Sequence, residues 1–302
     1  MKKDEANQLA DQAIAALQAE LKAGRSETLI QYLDAMSRFH SYSWNNCLLI
    51  TLQMPEATFV AGFHRWLRMG RCVRKGESGI AIMAPLVRCK RDDADGDNSE
   101  TSGETGDKDE RRIRGFKIVH VFDVRQTDGD DLPELATMHG DPGQLLCSLE
   151  GLIRANGITL NEEVLAHGVK GVSRKGEIAI AEGLPSAERF AVLAHELAHE
   201  WMHGPQLRMT LAKTVRETEA EAVAYVVCRS FGLDCSTRSS DYIQMYRGDE
   251  VTLMASLGRI QRTATRMIES MSQSSVARQD DQALVASPKA ISATGMSCVA
   301  IQ

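Results

Sequence analysis

His195-Glu196-Leu197-Ala198-His199 is an H-E-x-x-H set flanked by the apolar residues Phe190, Val192, Leu193 and Trp201, and that apolar spacing is helical. On an α-helix, residues i and i+4 lie about 40° apart, so both imidazoles can face one ion. Glu196 is offset by about 100°, where it can act as general base on a water molecule without being a ligand. Those residue types at that spacing perform metal-assisted hydrolysis. The competing reading is two surface histidines on an amphipathic helix. Zinc is the expected metal, with another divalent ion such as Mn2+ as the alternative.

Zinc needs at least one more protein ligand. His203 continues the stripe but lies two turns, about 12 Å along the axis, from His195, too far for one ion to bridge. The longer H-E-x-x-H-x-x-G-x-x-H arrangement fails too, because Met202 and Pro205 stand where its Gly and third His belong. The next helical segment offers Glu217, Glu219 and Glu221. Glu217 and Glu221 are i and i+4, hence on one face, while Glu219 is about 200° from Glu217. Carboxylates on an otherwise apolar helix are costly unless they hold a cation or a ligand histidine. Glu217 is therefore read as the third ligand, Glu221 as the partner that orients an imidazole, and Glu219 as pointing away. A solvated acidic face beside Lys213 and Arg216 is the alternative.

The elements that must carry these residues follow from patterning. Pro185-Ser186 and Gly204-Pro205 bracket the H-E-x-x-H helix, with Ser186 as its expected N-cap. The glutamate helix spans roughly Lys213 to Phe231 and stops at Gly232. An amphipathic helix over Val251–Met271 follows. Upstream come a helix over Gln144–Asn156, a strand at Ile158–Leu160 and a hairpin over Gly171–Ala181. In the first half, helical spacing covers 4–40 with a break at Gly24-Arg25-Ser26. A short helix runs from Trp44 to Gln53, and strands follow at Ile80–Met83 and Phe116–Phe122. Residues 92–110 hold nine acidic side chains and hardly an apolar one, which predicts a disordered acidic loop. Asp128 to Gly143 reads as a domain boundary. The expected fold is α+β: a helical and β-hairpin domain over 1–130, a mainly helical domain over 140–272, and a flexible tail over 273–302.

The first half carries a second signature. Val60 to Arg91 holds eight Lys and Arg residues and only Glu77 as an acid, a local balance of +7. Trp44, Phe59, Phe63 and Trp66 lie nearby. Rings that stack on bases, interleaved with cations that track phosphates, are what sequence-tolerant binding of single-stranded nucleic acid needs. Trp44, Asn45, Phe63, Trp66, Arg71, Arg74 and Lys75 are the candidates. The aromatics fit an ordinary core equally well.

Ser43-Trp44-Asn45-Asn46-Cys47-Leu48-Leu49-Ile50, then Pro55 through Phe63, Trp66, Gly70 through Ile80, Ala84-Pro85 and Val121-Phe122-Asp123-Val124 resemble the N-terminal domain of ArdC-type antirestriction proteins. These motifs match in order over about 85 residues. The second half is similar to that family's zincin-like metallopeptidase domain and to ImmA/IrrE-type peptidases, which places His195, Glu196, His199, Glu217 and Glu221 on family positions. The resemblance implies a protein of a plasmid or other mobile element. It would bind single-stranded DNA, with duplex DNA bound more weakly, and shield incoming DNA from restriction.

Composition narrows the alternatives. Of 302 residues, 43% are apolar and 25% charged, with a net charge of −6, which argues against a wholesale nucleic-acid coat but leaves room for a local basic site. No apolar run approaches the ~20 residues that span a bilayer, and the polar start predicts no secretory signal. Seven cysteines without a C-x-x-C pair fit free thiols in a reducing, cytoplasmic setting. The leading expectation is a single-stranded-DNA binder joined to a zinc peptidase acting on an unknown protein substrate. The alternatives are a DNA-shielding protein whose metal site is structural or vestigial, and a repressor-cleaving peptidase positioned on DNA.

Overall fold

The protein was analysed as a computed structural model that describes residues 3–88, 112–130, 142–233 and 250–285. The acidic segment 92–110 lies outside them, as do residues 286–302 of the expected tail.

Three helices open the chain: α1 (Lys3–Lys22), α2 (Glu27–Arg38) and α3 (Trp44–Gln53). Two small sheets follow. One is built in the order β1-β4-β3 from β1 (Val60–Gly62), β3 (Ile80–Arg88) and β4 (Arg112–Asp123). Between β1 and β3 lie a short helix, α4 (Phe63–Arg68), and β2 (Arg71–Val73). β2 pairs with β5 (Thr127–Gly129). The antiparallel register Ile80↔Val121 and Ile82↔Val119 puts apolar pairs on one face.

The free edge of β3 is covered by side chains rather than by a strand. Asn46 and Gln53 sit two turns apart on α3, and their amides exchange hydrogen bonds with the backbone of Met83 and Ala81, at 2.9–3.0 Å. Carboxamides thus take the place of a neighbouring strand and blunt the edge.

The second half contains α5 (Gln144–Ala155) and a mixed sheet in the order β6-β8-β7. Its strands are β6 (Thr159–Glu163), β7 (Gly171–Ser173) and β8 (Glu177–Ala181). Four helices complete it: α6 (Ser186–Met202), α7 (Pro205–Thr210), α8 (Lys213–Ser230) and α9 (Glu250–Val285). Two boundaries differ from the sequence reading. Pro185 is the N-cap of α6, with Ser186 already inside the helix and no side-chain cap bond. Pro fits this place because its fixed φ suits helix entry and its missing N–H is not needed there. Helix α9 continues past Met271 to Val285, so the segment expected to be a flexible tail begins as helix.

The halves share one core. Buried Leu29, Leu33 and Met36 of α2 belong to the same cluster as Val223, Val226 and Val227 of α8 and Leu257, Ile260 and Met267 of α9. Polar bonds fix the seam. Tyr225 Oη and Arg229 Nε donate to Asp34 at 2.7 and 3.2 Å, and Gln261 Nε2 donates to the carbonyls of His40 and Tyr42 at 2.9 and 2.8 Å.

Candidate metal centre

Helices α6 and α8 pack side by side and supply every candidate ligand. The apolar stripe of α6, with Phe190, Leu193, Leu197 and Ala198 all at 0% exposure, anchors the helix and turns His195 and His199 toward α8. His195 Nε2 and His199 Nε2 approach to 3.1 Å, and Glu217 Oε2 lies 3.2 Å from His199 Nε2 and 3.5 Å from His195 Nε2. Two imidazole nitrogens and one carboxylate oxygen that converge in this way could hold a divalent ion. His195 Nδ1 is 3.4 Å from Glu221 Oε2, the arrangement that orients a ligand imidazole from behind.

Glu196 projects toward β7 rather than toward the three ligand atoms. Gly171 makes that approach feasible: a Cβ there would sit 2.6 Å from Val192 Cγ1 and 2.8 Å from Glu196 Oε1. The strand can lie against α6 at this point only because residue 171 has no side chain. Burial pushes the Glu196 carboxyl up to about 7. Burial depresses His195, but bonding to Glu217 and Glu221 outweighs it and raises the imidazole to about 9. Bonds from His195 and His199 hold Glu217 well below the usual carboxylate range. Two clefts of about 690 and 660 Å3 flank the site, and both are bounded by Val169, Gly171, Glu196 and Glu217.

Glu219 points away from the three ligand atoms, as helix phase requires, yet it is not idle. It is fully buried and bonds His203, the histidine that lies too far along α6 to be a ligand. Nothing in the spacing of the sequence singled out this contact, because it depends on how the end of α6 packs against α8.

The basic segment is less unified. Trp66 is 0% exposed, stacks edge-on against Phe59 and donates its indole N–H to the Phe122 carbonyl at 2.9 Å. The structure thus places it in the core, where no base can reach it. Trp44 is half-buried and packs toward Gly258 of α9, and Asn45 is half-buried beside it. Arg71 is spent on Thr127 and the carbonyl of Gly129 across β2 and β5. Arg74 is exposed but paired with Glu77 and Asp128. Phe63 is 45% exposed at the start of α4, and Lys75 is exposed. Arg65 and Arg68, on the same short helix as Phe63, are exposed as well; they were counted in the basic balance but not singled out.

Residues 3–122 match the family model of the N-terminal domain of the anti-restriction factor ArdC. This part of the chain is an ArdC-type domain. The resemblance read from Ser43 onward is borne out as far as Phe122. An uncharacterized protein of Bacillus anthracis is 24% identical over 283 residues, which cover 81% of this chain and 48% of that protein. The chain therefore spans about half the length of the curated relative it matches. Two crystal structures of the ArdC antirestriction protein of the R388 plasmid are also similar, each at 18% identity. The Mn(II)-bound form aligns over 87% of this chain and 98% of that one with a TM-score of 0.50, and the metal-free form over 88% and 98% with 0.49. At that identity the Mn(II)-bound form shows a common fold. Among the described residues, no helix is long and apolar enough to cross a membrane.

Proposed function

We propose that this chain is an antirestriction protein of a mobile element that binds single-stranded DNA through its ArdC-type domain and hydrolyses a polypeptide at the α6–α8 centre. The observation that carries the reading is the convergence of His195, His199 and Glu217 next to a Glu196 that bonds none of them. The three ligands fit a zinc or manganese ion, and the Mn(II) form of the R388 plasmid protein supports a divalent metal in this fold. A bound ion of that kind supplies Lewis acidity.

The chain supplies the rest. His195 and His199 set the position of the centre, and Glu221 keeps His195 turned toward it. Glu196, a buried carboxyl beside the centre that bonds none of the three ligands, is placed to take a proton from water and pass it to a leaving amine. Strand β7 is an edge strand beside both clefts, so an extended polypeptide can lie along it with its backbone across Glu196. On α4, Phe63 with Arg65 and Arg68 offers a ring and cations for unpaired bases and phosphates.

The test compares wild type with Glu196→Gln for metal content, cleavage of a randomised peptide library, binding of oligo-dT and protection of DNA from restriction. The reading expects unchanged metal and DNA binding with cleavage lost. Cleavage at the wild-type rate would remove Glu196 as general base. Full protection by the inactive variant would make shielding, not proteolysis, the antirestriction activity.

A further inference from the structure

The two ligand histidines are held from behind in different ways. His195 leans on Glu221, whose side chain is 41% exposed. His199 leans on His203, with Nδ1 of each ring 2.9 Å apart, and His203 Nε2 lies 3.0 Å from Glu219 Oε2. The side chains of His203 and Glu219 are both 0% exposed. A carboxylate at that depth needs its charge matched and its oxygens bonded. Arg259 of α9 does the first, donating from Nη2 to Oε1 and from Nε to Oε2 at 3.3 Å, and Ser256 Oγ adds a bond to Oε1.

In the metal-free site His199 Nε2 can donate to Glu217 Oε2 at 3.2 Å. A metal held through His199 Nε2 would need the lone pair on that atom and the ring's hydrogen on Nδ1. His203 is placed to receive that hydrogen: Glu219 only accepts, so His203 Nε2 donates to it, and His203 Nδ1 can accept from His199 Nδ1 across the 2.9 Å contact. We infer that His203 and Glu219 form a buried positioning relay, anchored on Arg259, that presets His199 for metal binding. Arg259 and Ser256 lie two to nine residues before Gln261 and Thr265, which clasp the His40 carbonyl, so the relay is seated on the helix that joins the halves. The inference rests on the metal-centre reading above.

The test uses the full chain with Co2+ and Zn2+ in competition with a chelator, together with the visible spectrum of the cobalt form. His203→Leu removes the acceptor for His199. It is expected to weaken both ions by about 10–100-fold, the usual cost of removing a group that orients a ligand, and to change the cobalt bands. His203→Gln should restore most of the affinity and the wild-type bands, because its amide can accept from His199 and donate to Glu219. A purely packing role would leave the bands of His203→Leu unchanged, or make Gln as damaging as Leu. Either result overturns the relay. Circular dichroism of the metal-free proteins checks folding. Should His203→Leu not fold, His203→Met fills the same volume without a strong acceptor and carries the same comparison. A wild type that takes up neither ion overturns the metal-centre reading itself. Wild-type uptake with an unaltered His203→Leu overturns only the relay.

Discussion

The α6–α8 centre and the basic segment around α4 began from equally suggestive residue types, and the fold treats them differently. At the centre, helical periodicity converts sequence spacing into direction, so His195, His199, Glu217 and Glu221 meet within hydrogen-bonding range of one another. Around α4 no such periodicity operates. A run of cations in short strands and turns must satisfy its own backbone, and Arg71 is consumed in doing so while Trp66 fills the core. Residue type predicts a site where a regular element fixes direction. Where the chain is irregular it predicts only composition.

The sharpest break of this comparison is Glu217→Ala. It removes one of three converging ligands and is expected to lower zinc affinity by more than about 100-fold, whereas Glu221→Ala should stay within about 10–100-fold because it only orients His195. Metal content after dialysis against a weak chelator ranks the two. Equal losses would mean that both carboxylates ligate.

Trp66→Ala tests the other region. A fully buried Trp lost from a core costs about 3–5 kcal/mol, so the variant should show a much lower denaturation midpoint, with any loss of DNA binding following from unfolding. A stable Trp66→Ala protein with impaired DNA binding would return Trp66 to the interface.

The helices, the hairpin and the ends of α6 and α8, apart from the N-cap of α6, were legible because apolar periodicity and Gly or Pro stops are local signals. The phase of Glu217, Glu219 and Glu221 was legible for the same reason. What Glu219 does was not, since it depends on Arg259 and Ser256, 40 and 37 residues further on. The role of Asn46 and Gln53 in capping β3 was also hidden, because an amide that stands in for a strand leaves no pattern of its own. The same holds for Asp123, which sits at the end of β4 and ties it to Thr58 and Phe59, just before β1.

Asp123 gives a pH-dependent measure of that tie. Its side chain is 0% exposed and accepts from the backbone N–H groups of Thr58, Phe59 and Arg125 and from Arg125 Nε, at 2.8–3.3 Å. Burial works to raise its pKa, but these bonds prevail and hold it below the ordinary Asp value. A depressed folded pKa means that the stabilisation is complete above the unfolded value, about 3.9, and is lost as pH falls through the lower folded value. Asp123→Asn should therefore cost about 1–3 kcal/mol at pH 7, with the gap from wild type closing only in strong acid. Urea denaturation at pH 7 and at a series of pH values falling below about 3.9 follows the gap as it closes; a gap independent of pH would assign the cost to packing instead.

The smallest expected effect separates free cations from engaged ones. Lys75 is exposed and has no ion pair among the described residues, so it is available to a phosphate in a way that Arg71 is not. Each phosphate contact on single-stranded DNA contributes about 0.7 to the slope of log affinity against log salt. Lys75→Ala should reduce that slope by about this amount and leave thermal stability unchanged. Phe63→Ala should weaken binding by about 1–3 kcal/mol through lost stacking, with the slope unaltered. Arg71→Ala, by contrast, should lower stability through the loss of its bonds to Thr127 and Gly129. If Lys75→Ala leaves the slope intact while Arg71→Ala reduces it in a folded protein, β2 and β5 rather than α4 and the turn after β2 form the DNA face. The bonds that now hold Arg71 would then have to open when DNA binds.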